Sequence, residues 1–273
     1  MKRLPRLYLA ENEVERVGST RPFSAAEDLN RLVPRSSKAT ASPSAGYDAK
    51  LPAGDRHKIM THTCKFCSVF DSSEAPCDRP ILRTPNFIVA PSVGALVPGW
   101  MLVVSTKHYI SAGALPHELL AELRGTINTV AAAMRQTSRT AAIFEHGPAR
   151  ENTVVGCGID HCHVHVVPLE FDLYSAAGQL SKETGISWEP AADITSTKAY
   201  HEGGHPYLYI QQNDVGKIGT SSNPPSQFFR RVIASRQGRP EEFDWRRHDA
   251  VAPAHLAEVH RLTLVLPGAS AVG

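Results

Sequence analysis

Along the chain the apolar positions change rhythm near Cys64. Before it, "RSSKATASPSAGYDAKLPAGD" is rich in Ser, Ala, Pro and Gly and has no apolar period. Residues 1–60 therefore read as a flexible N-terminal arm, with a short helix in "SAAEDLNRLV". After it, "NFIVAP" and "WMLVVS" are compact strand-like runs joined by a loop that holds Gly94, Pro98 and Gly99. In "LPHELLAELRGTINTVAAAMRQTSR" the residues Leu119, Leu120, Leu123, Ile127, Val130 and Met134 fall at helical spacing behind Pro116, which predicts an amphipathic helix. "TAAIFE" predicts a third strand and "HCHVHVVP" a fourth. Strand, strand, helix, strand, strand implies an antiparallel sheet with a helix packed on one face, an α+β fold.

Past Tyr174 the pattern is less regular to about residue 222, with "YLYI" as a strand. "NPPSQFFRRVIASRQGRP" then predicts a helix: Asn223 caps it, Pro224 opens it, Phe228, Phe229, Val232 and Ile233 form its stripe, and Gly238 with Pro240 ends it. The expected division is an arm (1–60), a catalytic domain (61–175), a C-terminal extension (176–250) and a tail (251–273) containing a short helix.

Composition adds little. A net charge of +2 gives no reason to expect a nucleic-acid polymer or a membrane as partner. No apolar run is long enough to span a bilayer. Five cysteines form no evident disulfide framework, and the N-terminus carries no secretory signal, which fits a reducing cytoplasm.

Chemistry enters with His161, His163 and His165. At a spacing of two on a strand they share one face, where imidazoles suit metals, anions or proton transfer far better than apolar filling. A second cluster is "CKFC". Cys64 and Cys67 have the spacing of a zinc knuckle, with a redox pair as the rival. His62 and Cys77 lie nearby as alternate ligands.

His161-Cys162-His163-Val164-His165-Val166-Val167 resembles the histidine triad (HIT) motif, with "PGWMLVVSTKH" and "GCGIDH" similar to the family's preceding strand and its Gly-rich lead-in. The resemblance covers roughly residues 62–175. It implies a HIT-like sheet that binds a nucleotide and a covalent mechanism in which His163 attacks the α-phosphate. His165 would then donate to phosphate oxygens, and Gly156 and Gly158 would let the backbone approach them. In zinc-containing members the Cys pair joins two histidines, here His108 and His161, in a closed structural Cys2His2 shell.

Two positions depart from the family pattern. Gly158 stands where a Ser or Thr often helps the leaving group, and Ser92 where an acidic residue often holds the ribose. His146, placed on the loop before the triad, could supply a proton instead. At the start of the later helix, Ser226 and Gln227 could offer amides, and Arg230 and Arg231 charge, to a distal phosphate; the rival reading makes the arginines a solvated face.

The leading expectation is a nucleotide phosphohydrolase acting on a dinucleoside polyphosphate, nucleotide conjugate or phosphoramidate. A nucleotidyltransferase or phosphorylase would use the same intermediate. The galactose-related transferase branch has Gln at the third triad place, so His165 leans the reading toward hydrolysis. A nucleotide-binding module without catalysis is the third reading. HIT-like proteins are often homodimers, and the extra residues here could cover that surface.

Overall fold

The computed structural model describes residues 64–269 apart from 73–78, 138, 139, 154, 155, 157, 223 and 249. All of them lie in one compact unit that runs from Ile59 to Gly273. The arm with its helix, His62, Cys77 and the Asn223 cap fall outside the described residues.

Helix α1 (Lys65–Ser72) leads into strands β1 (Leu82–Arg83), β2 (Phe87–Pro91) and β3 (Met101–Ser105), followed by helix α2 (His117–Gln136). Strands β4 (Thr140–Gly147) and β5 (His163–Leu169) complete the order expected from the sequence. The chain then continues through α3 (Leu173–Ala176), α4 (Gly178–Glu183), β6 (Ser187–Ala191), α5 (Thr197–Glu202), β7 (Tyr207–Gln212), β8 (Val215–Thr220), α6 (Phe228–Arg236) and α7 (Pro253–Val265).

Among the described residues all eight strands form one sheet in the order β1-β2-β3-β5-β4-β7-β8-β6, and every pairing is antiparallel. The predicted α+β class holds. Its two faces bury separate cores. On one, Val89, Val103, Val164 and Val166 meet the Leu123, Ile127, Val130 and Met134 stripe of α2 and Val259 and Leu262 of α7. On the other, Leu102, Phe144, Val167 and Ile210 meet Phe228, Phe229, Val232 and Ile233 of α6. Each such side chain contributes about 1.5–3 kcal/mol by leaving water.

The stretch from 175 to 222, read as irregular, holds three strands and three short helices. Its strands lack a clear apolar alternation for a physical reason. β6 is a sheet edge with Pro190 and mostly exposed side chains, and β8 carries Gly216 and Gly219 where side chains would signal a strand. The helix expected from Asn223 begins only at Phe228, because Gln227 adopts a left-handed conformation (φ 57°) that a helix cannot pass through. The short helix expected in the tail is α7, and it packs on the body. His255 of α7 accepts a hydrogen bond from Gly99 N–H (3.1 Å) in the β2–β3 loop, and burial lowers its pKa to about 4.

Glu145, buried in β4, accepts from the Tyr207 hydroxyl and from Ala112 N–H, both at 2.7 Å. Burial outweighs these bonds and raises its pKa to about 7. The folded state therefore binds a proton that the unfolded chain releases above its ordinary value of 4.5. Stability from this group is full below pH 4.5 and is lost as pH rises toward 7, by about 3 kcal/mol. Denaturant titrations of the wild type and Glu145→Gln are expected to show this as a difference that falls over that window, with the buried histidines cancelling. A flat difference would contradict it.

Candidate active site and metal centre

The site gathers at the start of β5. Val164 and Val166 point into the α2 core, so His163 and His165 emerge on the α6 face. Both are buried, at 7% and 4% exposure.

His163 Nδ1 lies 2.6 Å from the His161 carbonyl, which can only accept. Nδ1 therefore carries the proton and Nε2 the lone pair. Burial lowers the pKa of this imidazole, which keeps it neutral near pH 7. His165 is held the opposite way. Its Nδ1 accepts from the Trp100 indole N–H (3.0 Å), so the neutral ring is protonated at Nε2. Burial first, then neighbouring His163, His146 and Arg230, push its pKa well down, and Phe144 stacks on it at 4.5 Å. One strand thus presents two neutral imidazoles of opposite tautomer, one accepting and one donating.

Trp100, which the sequence left unassigned, sets the tautomer of His165. Trp100→Phe keeps an aromatic filler but removes the donor that selects the His165 tautomer. Turnover should fall about tenfold or more with little change in KM. An unchanged kcat in steady-state assays would remove Trp100 from the mechanism.

Beside the triad, Cys64, Cys67, His108 and His161 bring four donor atoms within 4.8 Å of one another. The Sγ–Nδ1 separations are 3.3 Å for Cys64–His161, 3.4 Å for Cys67–His108 and 3.7 Å for Cys67–His161. A tetrahedron of thiolates and imidazoles around zinc has edges of about 3.6 Å, so the donor set fits such an ion. The far nitrogens are matched as ligand imidazoles require: His161 Nε2 donates to the Ser105 carbonyl (2.7 Å), and His108 Nε2 faces Glu151 Oε1 (3.4 Å). Burial lowers the His161 pKa to about 4, leaving a neutral ligand. The four residues could hold a metal ion in a closed shell. His161 precedes β5, and its side chain belongs to this cluster, with Phe66 of α1 against both His161 and His163 at 5.8 and 5.4 Å.

The triad cavity is lined by His163, His165, Ser92, Leu102, Ile159 and Arg230, and closed by Lys65, Phe66 and Trp245. It encloses about 40 Å³, room for about three waters. Arg230 is 1% exposed, which overturns the solvated-face reading for this residue. Its Nε donates to the Phe243 carbonyl and its Nη2 to the Gly94 carbonyl, both at 2.7 Å, and the cation lies over Trp100 at 5.1 Å. Ser92 donates its hydroxyl to Val93 O (3.2 Å) at the cavity wall.

Other expected residues are placed differently. Arg231 stacks on Phe243 (3.6 Å), donates to Ser226 O, and does not line the triad cavity. Ser226 Oγ and Gln227 N–H both donate to the Gly156 carbonyl (3.0 and 3.1 Å), so they brace the lead-in rather than offer donors to phosphate. Gly156 holds that carbonyl at φ 138°, and Gly158 lines a neighbouring cavity instead of the triad's. His146 lies within β4, not on a loop. Its Nε2 accepts from Phe229 N–H (3.3 Å), and burial drives its pKa to about 3, so it has no imidazolium proton to give near neutrality.

No family model matches the sequence, and a comparison with curated proteins finds no match. Solved structures align with part of the chain. A Zn-bound histidine triad family protein from Mycobacterium smegmatis aligns at 20% identity, covering 52% of this chain and 92% of its own, with a TM-score of 0.33. A HIT family hydrolase from Clostridium thermocellum aligns at 17% identity over 41% and 95%, with a TM-score of 0.32. Yeast Ap4A phosphorylase in complex with AMP aligns at 10% identity over 59% and 64%, with a TM-score of 0.37. At these identities and TM-scores the chemistry of the site rests on its own residues. Among the described residues no helix is long and apolar enough to cross a membrane.

Proposed function

We propose that the protein is a nucleotide phosphohydrolase that works through a nucleotidyl group carried on His163. The observation that carries this reading is the pair of opposed tautomers. A neutral imidazole with its Nδ1 proton held by the His161 carbonyl presents the Nε2 lone pair to phosphorus. His165, protonated at Nε2, supplies a hydrogen bond to a phosphoryl oxygen as charge gathers there. The N–P bond forms at Nε2 while the P–O bond to the leaving group breaks, and water then takes the nucleotidyl group from the histidine.

Arg230 adds a permanent charge at the same cavity. The Phe243 and Gly94 carbonyls help to aim it, and a guanidinium suits a phosphate contact. The apolar wall of Phe66, Leu102, Ile159 and Trp245 suits a nucleobase, and Ser92 offers a hydroxyl to the ribose in place of a carboxylate. At about 40 Å³ the cavity must widen at Phe66 or Trp245 to admit a nucleoside. The ion suited to Cys64, Cys67, His108 and His161 is zinc in a structural role, where it would tie α1 to the lead-in of β5.

Intact-protein mass spectrometry after mixing with nucleotides tests the reading. One nucleoside monophosphate added at His163 is expected, and it should disappear with turnover. Product analysis with phosphate or a sugar phosphate present separates hydrolysis from transfer. Saturable binding with neither adduct nor turnover would make the protein a binding module.

A further inference from the structure

A segment of the C-terminal extension crosses in front of the triad. Arg230 Nε grips the Phe243 carbonyl, and Gln227 Nε2 donates to Asp244 Oδ1 (3.0 Å). At one end His248 O packs so closely on Gly94 (φ 62°) that a Cβ there would lie 2.5 Å from it. Two residues earlier the Arg246 guanidinium occupies the space a side chain at position 158 would fill, since a Cβ on Gly158 (φ 79°) would fall inside it. The lead-in to the triad thus has no side chain of its own at this point, and a cation from eighty-eight residues later stands in its place.

That cation faces a second cavity of about 420 Å³, lined by Lys65, His108, Glu151, Asp160, Trp245 and Arg246. Lys65, Ile159 and Trp245 line the triad cavity as well, so the two spaces share a wall. Lys65 Nζ and the Arg246 guanidinium lie over the Trp245 ring at 5.5 and 5.3 Å. Two carboxylates line the same space: Glu151 faces His108 (3.4 Å) and Asp160 accepts from Asn152 N–H (2.6 Å). Arg246 pairs with Asp244 at a loose 3.5 Å and is 45% exposed.

Resting on the reading of His163 as the group that bonds phosphorus, we propose that Arg246, with Lys65, forms a leaving-group subsite for phosphate, so that the preferred substrates carry phosphate beyond the α-phosphorus. When the P–O bond breaks, its electron pair stays on the departing oxygen. A phosphate or nucleotide leaves as an anion without needing a proton, and a guanidinium next to it takes up the charge. An amine leaving group needs a proton instead, and His146, the residue the sequence offered for that task, is held neutral and lines neither cavity.

The test compares two substrates that share AMP, diadenosine tetraphosphate and the p-nitrophenyl ester of AMP, on the full chain. Arg246→Met keeps the stem on Trp245 and removes the charge. The ratio of kcat/KM for the tetraphosphate over the ester should fall about 10–100-fold, with Arg246→Lys in between. Gly158→Ser, which displaces the guanidinium while leaving it in the chain, should move the ratio the same way. Equal losses on both substrates, or an unchanged ratio in either variant, overturn the subsite. A wild-type chain that forms no adduct at His163 with any nucleotide overturns the underlying reading instead.

Discussion

His163→Ala is expected to lower turnover on every cleavable nucleotide by roughly 10⁴-fold or more, because the step it removes is bond formation itself. The expected loss is larger than for a residue that only stabilises charge. His165→Asn should cost about 10²–10³-fold, the usual price of one hydrogen bond to a developing oxyanion. The two also differ in kind: the alanine variant should bind nucleotide yet show no adduct, whereas the asparagine variant should still form one slowly. The His163 side chain makes one hydrogen bond, to the carbonyl two residues before it, so its removal should leave the thermal midpoint within a few degrees. Single-turnover kinetics with mass detection would decide. Retained turnover in a folded His163→Ala protein ends the covalent mechanism.

Zinc is expected to accompany the purified chain at one ion per molecule, and its loss should have the largest effect on stability. The four donors come from Cys64 just before α1, Cys67 within it, His108 in the loop after β3 and His161 two residues before β5, segments up to 97 positions apart. An ion joining them closes a long loop and fixes α1, which is short and carries few core contacts of its own. Cys67→Ser, or chelation, should lower stability by several kcal/mol, seen as a midpoint about 10 °C lower for a domain of this size. Activity should fall with it, because Phe66 and Lys65 of α1 form part of the triad wall. Elemental analysis and thermal unfolding check both halves. A metal-free protein with an unmoved midpoint would leave the four residues as a polar cluster without a resident ion.

The parts legible in the sequence were those with a strong local period or a rigid spacing. The α2 stripe, the strands at 87–91 and 101–105, the part of β4 from 140 to 145, and the triad were written in neighbouring residues. The Cys-x-x-Cys pair became a four-donor cluster as the resemblance implied. What stayed hidden depends on contacts between distant segments. The sequence cannot show that Trp100 reaches His165, that Arg246 fills the space beside Gly158, or that Arg230 turns inward while adjacent Arg231 does not. Position 230 follows two buried phenylalanines on a helix packed against the sheet, and only the register of that packing separates a buried cation from a surface one. His146 was misplaced for a simpler reason: "FEHG" ends in glycine, which suggests a loop, yet β4 runs through Gly147 because β7 pairs with it there.

The pairing of β4 with β7 has a practical consequence for anyone trimming this protein. A chain cut after residue 175 would keep the motif but leave the middle of an eight-stranded sheet as a raw margin, from Ala142 to Gly147, with unpaired amides and Phe144 uncovered. Such a margin invites other chains to zip onto it. The familiar-looking half is therefore the less self-sufficient one, and its solubility is borrowed from residues that carry no recognisable motif at all.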